Sequence, residues 1–230
     1  MPISKTDFVR ALQCKKMLWL DAHAPELRII PPEVQEKLDA GNEFGDKAMS
    51  IFGEFVETTT FKEDGRLNFS AMLTKTQTLL TAQTPVICEA AFSWYGNFCA
   101  ADILKKEKDG YLLYEVKNAP EPRKEFIVDL AFQSFLIKKC GLPLCGAKLI
   151  LRGDPNGKTN EDEEQIKRDG IWYKIVDVSK AVRATERTVS DNIFGFGKLK
   201  RKDAETPLQP TGAHCETPYR CWYYDYCHQS

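Results

Sequence analysis

The chain has 230 residues, of which 43% are hydrophobic and 28% are charged, so it can bury a sizeable core and is not disordered throughout. Its 32 Lys and Arg against 33 Asp and Glu give a net charge of −1, which excludes a globally basic nucleic-acid-binding protein. No apolar run approaches the about 18 residues of a membrane span, and the first residues lack the apolar stretch of a signal peptide. We therefore expect a cytoplasmic protein without membrane contact, folded as one domain over residues 1–230.

Helices are expected in the first third of the chain. Ser4 and Asp7 together give a capping signal for a helix over 4–21. A second helix is predicted over 32–52, because it opens with proline, which suits the first helical turn. A third helix is predicted over 69–83, after which the hydrophobic period changes.

The rest of the chain combines strands with helices. Strands with a period of two are predicted over 86–94, 97–106 and 111–117. A helix is predicted over 124–140 and a strand over 147–151. A polar loop over 153–170 precedes a strand over 171–178 and a helix over 179–194. This order predicts an α/β fold with a mixed central sheet flanked by helices.

One predicted strand carries charge where a central strand is usually apolar. The period of two places Glu115 and Lys117 on one face of the strand over 111–117. Asp102 is the only acidic residue in the apolar run 98–104 of the preceding strand, and burying it is costly unless it is paired or binds a metal. Two carboxylates on adjacent strands can hold Mg²⁺ or Mn²⁺, and a nearby lysine can stabilise growing negative charge. These are the groups that phosphodiester hydrolysis needs, although spacing alone equally allows an ordinary salt bridge.

The pattern Ala101-Asp102…Glu115-Val116-Lys117 resembles the D…E-x-K signature of PD-(D/E)XK nucleases, in particular their RecB-like branch. The resemblance implies a restriction-endonuclease-like fold in which Asp102 and Glu115 bind Mg²⁺ or Mn²⁺ and Lys117 is catalytic. It also implies a catalytic role for the glutamine of a downstream Q-x-x-x-Y motif, which is Gln133 here.

The chain departs from the RecB-like pattern at two positions. Gly45 stands where the upstream G-x-x-x-H motif has its metal-binding histidine, and Ile137 stands where the tyrosine of Q-x-x-x-Y is expected. Other acidic residues are candidates for the missing ligand. They are Glu43, Asp46 and Glu89.

Eight cysteines are too few for a secreted disulfide scaffold of this length. Four of them lie in apolar strand or helix contexts and are predicted to be core thiols: Cys88, Cys99, Cys140 and Cys145. The tail instead spaces Cys215, Cys221 and Cys227 by five residues each. This spacing lacks the short C-x₂₋₄-C knuckle usual for zinc and suits an iron–sulfur cluster, with a zinc site that includes His214 or mere buried thiols as the alternatives.

One N-terminal cysteine with three C-terminal ones is similar to the iron–sulfur staple of the CRISPR-associated Cas-four exonucleases and of AddB-type helicase–nucleases. The resemblance implies a [4Fe–4S] cluster that joins segments 1–30 and 205–230 and is held by four thiolates, those of Cys14, Cys215, Cys221 and Cys227.

The same resemblance implies a metal-dependent exonuclease acting on single-stranded DNA ends, with helicase or CRISPR adaptation proteins as partners. The alternative is a catalytically weak or inactive nuclease-fold module that binds DNA or a partner. A dense basic run is a candidate for phosphate contacts, through Lys198, Lys200, Arg201 and Lys202.

Overall fold

The computed structural model describes residues 1–30 and 32–229. Within these residues, seven strands form one mixed sheet, in the spatial order β1-β2-β3-β4-β5-β7-β6. The strands are β1 (Val56–Glu57), β2 (Val86–Trp94), β3 (Asn97–Glu107), β4 (Gly110–Lys117), β5 (Leu144–Arg152), β6 (Glu163–Arg168) and β7 (Ile171–Asp177). The pairs β1/β2 and β4/β5 are parallel and the other pairs are antiparallel.

Helices cover both faces of the sheet. They are α1 (Lys5–Gln13), α2 (Lys15–His23), α3 (Pro32–Ala48), α4 (Phe69–Thr81), α5 (Lys124–Lys139), α6 (Ser179–Leu199) and α7 (Tyr224–His228), with 3₁₀ turns at Pro25–Leu27, Met49–Phe52 and Ala213–Cys215. The larger apolar core joins α1, α5 and α6 to one face of the sheet. A smaller core joins α3 to the other face. The predicted mixed α/β sheet flanked by helices is therefore confirmed.

The helix predicted over 4–21 is interrupted at Cys14. The predicted capping box is present, because Ser4 Oγ accepts from the backbone N–H of Asp7 and Asp7 accepts from that of Ser4. Cys14 is extended, with φ −155° and ψ 114°, and separates α1 from α2. The apolar period runs through the break and therefore does not predict it. The break turns Cys14 towards a small core with Met17 and Tyr223.

The prediction of a polar loop over 153–170 is wrong for Glu163–Arg168, which form the edge strand β6. An edge strand with little burial shows no apolar alternation, which is why the charged sequence of β6 was not recognised. The two-residue β1 was also missed, and α6 continues five residues beyond its predicted end at 194. No helix in the described residues is long and apolar enough to cross a membrane.

Candidate functional site

The pairing of β3 with β4 ends in the middle of the sheet. Regular register runs as far as Ile103 opposite Tyr114, and the next pair would be Asp102 and Glu115. There the carboxylate of Asp102, rather than a backbone carbonyl, accepts the N–H of Val116, with an O–N distance of 2.7 Å. Because β3 stays paired with β2 and β4 with β5, the two strands separate at this point. The Asp102 and Glu115 side chains lie at the fork.

A second irregularity lies on the other side of β3. Glu89 of β2, opposite Asp102, has φ +55° and is absent from the otherwise regular pairing of the two strands. A left-handed backbone in a residue other than glycine costs about 1 kcal/mol or more and persists only where the surroundings impose it. Thr58, which is fully buried, donates its hydroxyl to the Glu89 carbonyl and holds this conformation. The sheet is therefore distorted where Glu89 and Asp102 lie opposite each other.

Glu115 is the centre of the cluster and is almost completely buried, with 1% of its surface exposed. The Nζ atom of Lys5 donates to its Oε1 at 2.8 Å and to its Oε2 at 3.1 Å. Lys117 Nζ lies 2.7 Å from Oε1, and the amide Nε2 of Gln133 donates to Oε2. Lys5 Nζ is also 3.9 Å from Oδ1 of Asp102, so its ammonium lies between the two carboxylates.

The structure thus brings together the four predicted catalytic residues, Asp102, Glu115, Lys117 and Gln133, and adds two that the sequence did not single out for the site. Asp129 accepts from Lys117 Nζ at 2.6 Å. Its spacing of four from Gln133 on α5 was the available signal, although an ordinary solvent-facing stripe looks the same. Lys5 gave no signal, because nothing in the sequence relates the start of α1 to β4.

The cluster is short of positive charge. Four carboxylates, those of Glu89, Asp102, Glu115 and Asp129, face two lysines, Lys5 and Lys117, so full ionisation leaves a net charge of −2. Burial and the neighbouring Asp102 raise the pKa of Glu89 to about 8. Burial and the charge of Glu115 raise the pKa of Asp102 to about 6. Burial acts against ionisation of Glu115 as well, but Lys117 and Lys5 outweigh it and hold its pKa at about 2.

In the presence of a chelator, the free energy of unfolding should fall as the pH rises from about 5 to about 8. In the folded protein the pKa of Glu89 is about 8, above its ordinary value of 4.5. Between pH 4.5 and pH 8, Glu89 therefore keeps a proton in the folded chain that it has lost in the unfolded chain. This stabilisation is complete below pH 4.5 and lost as the pH passes 8; Asp102 acts with the same sign between 3.8 and about 6. Glu115 has the opposite sign, but its contribution is lost only as the pH falls towards 2. Urea unfolding at several pH values measures the slope, at most about 1.4 kcal/mol per pH unit from Glu89.

The matched variant for this prediction is Glu89→Gln, which keeps the shape of the side chain and removes its titration. Its stability should change little between pH 6 and pH 8. Mn²⁺ should stabilise the unaltered protein more at pH 8 than at pH 6, because more of the carboxylates are then ionised. An unchanged slope in the variant would contradict the assignment to Glu89.

The donors of this cluster fit a hard divalent ion. Carboxylate oxygens are the ligands that Mg²⁺ and Mn²⁺ prefer, and the cluster has more carboxylates than lysines. Gln133 is fully buried, and its Oε1 atom has no hydrogen-bond partner within the described residues. Such an unpaired buried acceptor is unusual and is consistent with a functional site. In 1–30 and 32–229, no three His, Cys, Asp or Glu side chains are already grouped as a metal site.

The other predicted metal and DNA residues lie outside the cluster. Glu43 and Asp46 are on the exposed face of α3, and Glu43 is paired with Lys47 at 2.6 Å. Within the basic run, Lys200 pairs with Asp7 at 2.8 Å and Arg201 with Asp203 at 3.2 Å, whereas Lys198 and Lys202 are exposed.

Four cysteines line one narrow cavity at the end of α1: Cys14, Cys215, Cys221 and Cys227. None of them forms a disulfide. Burial raises the pKa of the Cys14 thiol, and that of Cys221 to about 11. Nε2 of His214 lies 3.7 Å from Sγ of Cys215. Four unpaired thiols around one space are a donor set that fits an iron–sulfur cluster, and the nearby imidazole leaves zinc as the alternative.

Hydrogen bonds fasten the tail to the start of the chain around this cavity. The Tyr223 hydroxyl donates to Asp21 at 2.7 Å, and the Ile29 N–H donates to the Trp222 carbonyl at 2.9 Å. Gln13 donates to the carbonyls of His214 and Tyr219. Segments 1–30 and 205–229 therefore pack together through residues next to the thiols.

The four cysteines predicted to be core thiols divide into two pairs. Cys88 and Cys99 are buried in the sheet, as expected. Cys140 and Cys145 are exposed, which corrects the prediction. Cys140 caps the C-terminus of α5, and Cys145 lies on an outward-facing position of β5. Because both have apolar neighbours in the sequence, their exposure could not be predicted from it.

No protein-family model matches the chain, and no curated protein matches it. The features of the molecule that bear on its function are the carboxylate–lysine cluster around Glu115 and the four-cysteine cavity.

Proposed function

We propose that the chain is a divalent-metal-dependent deoxyribonuclease of the RecB-like PD-(D/E)XK kind, acting as an exonuclease on single-stranded DNA ends. The supporting observation is the convergence of Asp102, Glu115 and Lys117 at the fork between β3 and β4, in a cluster with more carboxylates than lysines. Hydrolysis follows from this chemistry, whereas the preference for DNA ends rests on the family resemblance.

Each residue has a distinct part in the proposed reaction. Asp102 and Glu115 would hold Mg²⁺ or Mn²⁺, which when bound would activate water and polarise a phosphoryl oxygen. Lys117, anchored by Asp129, would stabilise negative charge that develops on the phosphate. Gln133 would orient Glu115 through the hydrogen bond from its Nε2.

We further propose that the four-cysteine cavity holds a [4Fe–4S] cluster with a structural role. The cluster would tie segments 1–30 and 205–230 together at the place where hydrogen bonds already join them. Zinc bound with the help of His214 is the alternative, supported by the approach of its imidazole to Cys215.

One observation favours a second function, an inactive nuclease-fold module that binds DNA or a partner. The Lys5 ammonium lies between Asp102 and Glu115, where the ion would bind. Gly45 and Ile137, in place of the family histidine and tyrosine, point the same way.

A nuclease assay on protein purified without oxygen separates the two functions. End-labelled linear single-stranded DNA, circular single-stranded DNA and duplex DNA are incubated with Mn²⁺, with Mg²⁺ or with a chelator. We expect ion-dependent loss of the linear single strand while the circle stays intact. If the protein binds DNA but cleaves none of the substrates with either Mn²⁺ or Mg²⁺, the nuclease proposal is overturned in favour of the binding module.

A further inference from the structure

Lys5 is held in the site by the two carboxylates and not by the helix that carries it. It is the first residue of α1, where the positive end of the helix dipole disfavours a cation. Its side chain is nevertheless only 22% exposed and donates to both oxygens of Glu115. The attraction of Glu115 and Asp102 therefore exceeds the unfavourable contribution of the helix end.

Glu115 would keep other partners if Lys5 moved away. Lys117 contacts its Oε1 and Gln133 its Oε2, so the carboxylate would remain hydrogen-bonded. Asp102 would likewise keep the backbone N–H of Val116. The position between the two acids is thus a place in the cluster where one cation can be exchanged for another while both acids keep a hydrogen-bond partner.

We propose that Lys5 is a tethered cation that competes with the divalent ion for the position between Asp102 and Glu115. This inference rests on the proposed metal site. In the metal-free protein the ammonium partly neutralises the carboxylates, and an incoming ion must displace it towards solvent. Lys5 therefore lowers the affinity for metal while it keeps the empty site ordered.

The first test is Mn²⁺ binding by Lys5→Met, which keeps the length of the side chain and removes its charge. The matched control is Lys200→Met. Lys200 pairs with Asp7 at 2.8 Å, the distance from Lys5 to Glu115, and the two lysines are similarly exposed. Titration followed by electron paramagnetic resonance of free Mn²⁺ should show a dissociation constant lowered about tenfold or more in Lys5→Met only. Equal affinity in Lys5→Met and the unaltered protein would overturn the inference and leave the metal site standing.

A second test needs no variant. Reductive methylation of the unaltered protein, read by mass spectrometry, should modify Lys5 faster when Mn²⁺ is present, with Lys200 as the internal reference. Bound Mn²⁺ with no change in the methylation of Lys5 would contradict the displacement. If neither the unaltered protein nor Lys5→Met binds Mn²⁺, it is the proposed metal site that fails.

Discussion

Asp102→Asn should lower the rate of DNA cleavage about 1,000-fold or more while the protein stays folded. The amide oxygen of asparagine can still accept the N–H of Val116, so the fork between β3 and β4 should persist. What is lost is one of the two negative charges proposed to hold the ion, and removal of such a group typically costs two to three orders of magnitude or more in rate. Single-turnover cleavage of labelled linear DNA measures the effect, and circular dichroism monitors the fold.

Lys117→Gln should give a loss of similar size, because the amide can still donate to Asp129 but carries no charge. Lys148→Gln is its control. Lys148 lies on the adjacent strand and is 27% exposed against 25% for Lys117. Its one ion pair within residues 1–30 and 32–229 is with Asp177, at 4.0 Å. Lys148→Gln should cleave DNA at the unaltered rate. Full activity in both Asp102→Asn and Lys117→Gln would show that the site is misassigned.

Cys14→Ser should remove the proposed cluster and lower the free energy of unfolding by about 3 kcal/mol or more, because a bound metal centre contributes its binding energy to folding. Protein purified without oxygen should be brown, with absorbance at about 400 nm and about four iron atoms per chain. The variant should be colourless. Iron and zinc analysis together with thermal unfolding measures both effects.

The control for Cys14→Ser is Cys145→Ser, since Cys145 is an exposed thiol on β5 away from the cavity. It should keep both the colour and the stability of the unaltered protein. Colourless protein with stoichiometric zinc would replace the iron–sulfur proposal by the zinc alternative. Protein with neither metal would leave the four thiols as buried side chains.

The core of the candidate site was predictable because it lies on strands. Alternation along β4 correctly put Glu115 and Lys117 on one face, and the lone acid in an apolar run correctly marked Asp102. The register between β3 and β4 then followed from a short turn, so these residues had to come close. Local periodicity and one tight turn were sufficient.

The rest of the site could not be derived from local patterns. Lys5 meets Glu115 across 110 positions of the chain, because Ile3 pairs with the start of β3 and α1 packs against α5. The left-handed backbone of Glu89 and the break at Cys14 depend on tertiary contacts that leave the apolar period unchanged. β6 was missed because the edge strand lacks the buried face that makes a strand recognisable.

Helix α1 has one end in each of the two clusters. It begins at Lys5, beside the carboxylates, and the residue after its last one is Cys14, in the cysteine cavity. Its nine residues span about 13 Å, and Phe8 in its middle packs against Phe132 and Phe196, each with ring centres 5.3 Å away. Because one short helix joins Lys5 to Cys14, a shift of α1 after loss of the proposed cluster would also move Lys5. Under the proposed function, oxidation of the thiols would therefore change the affinity of the proposed site for a divalent ion.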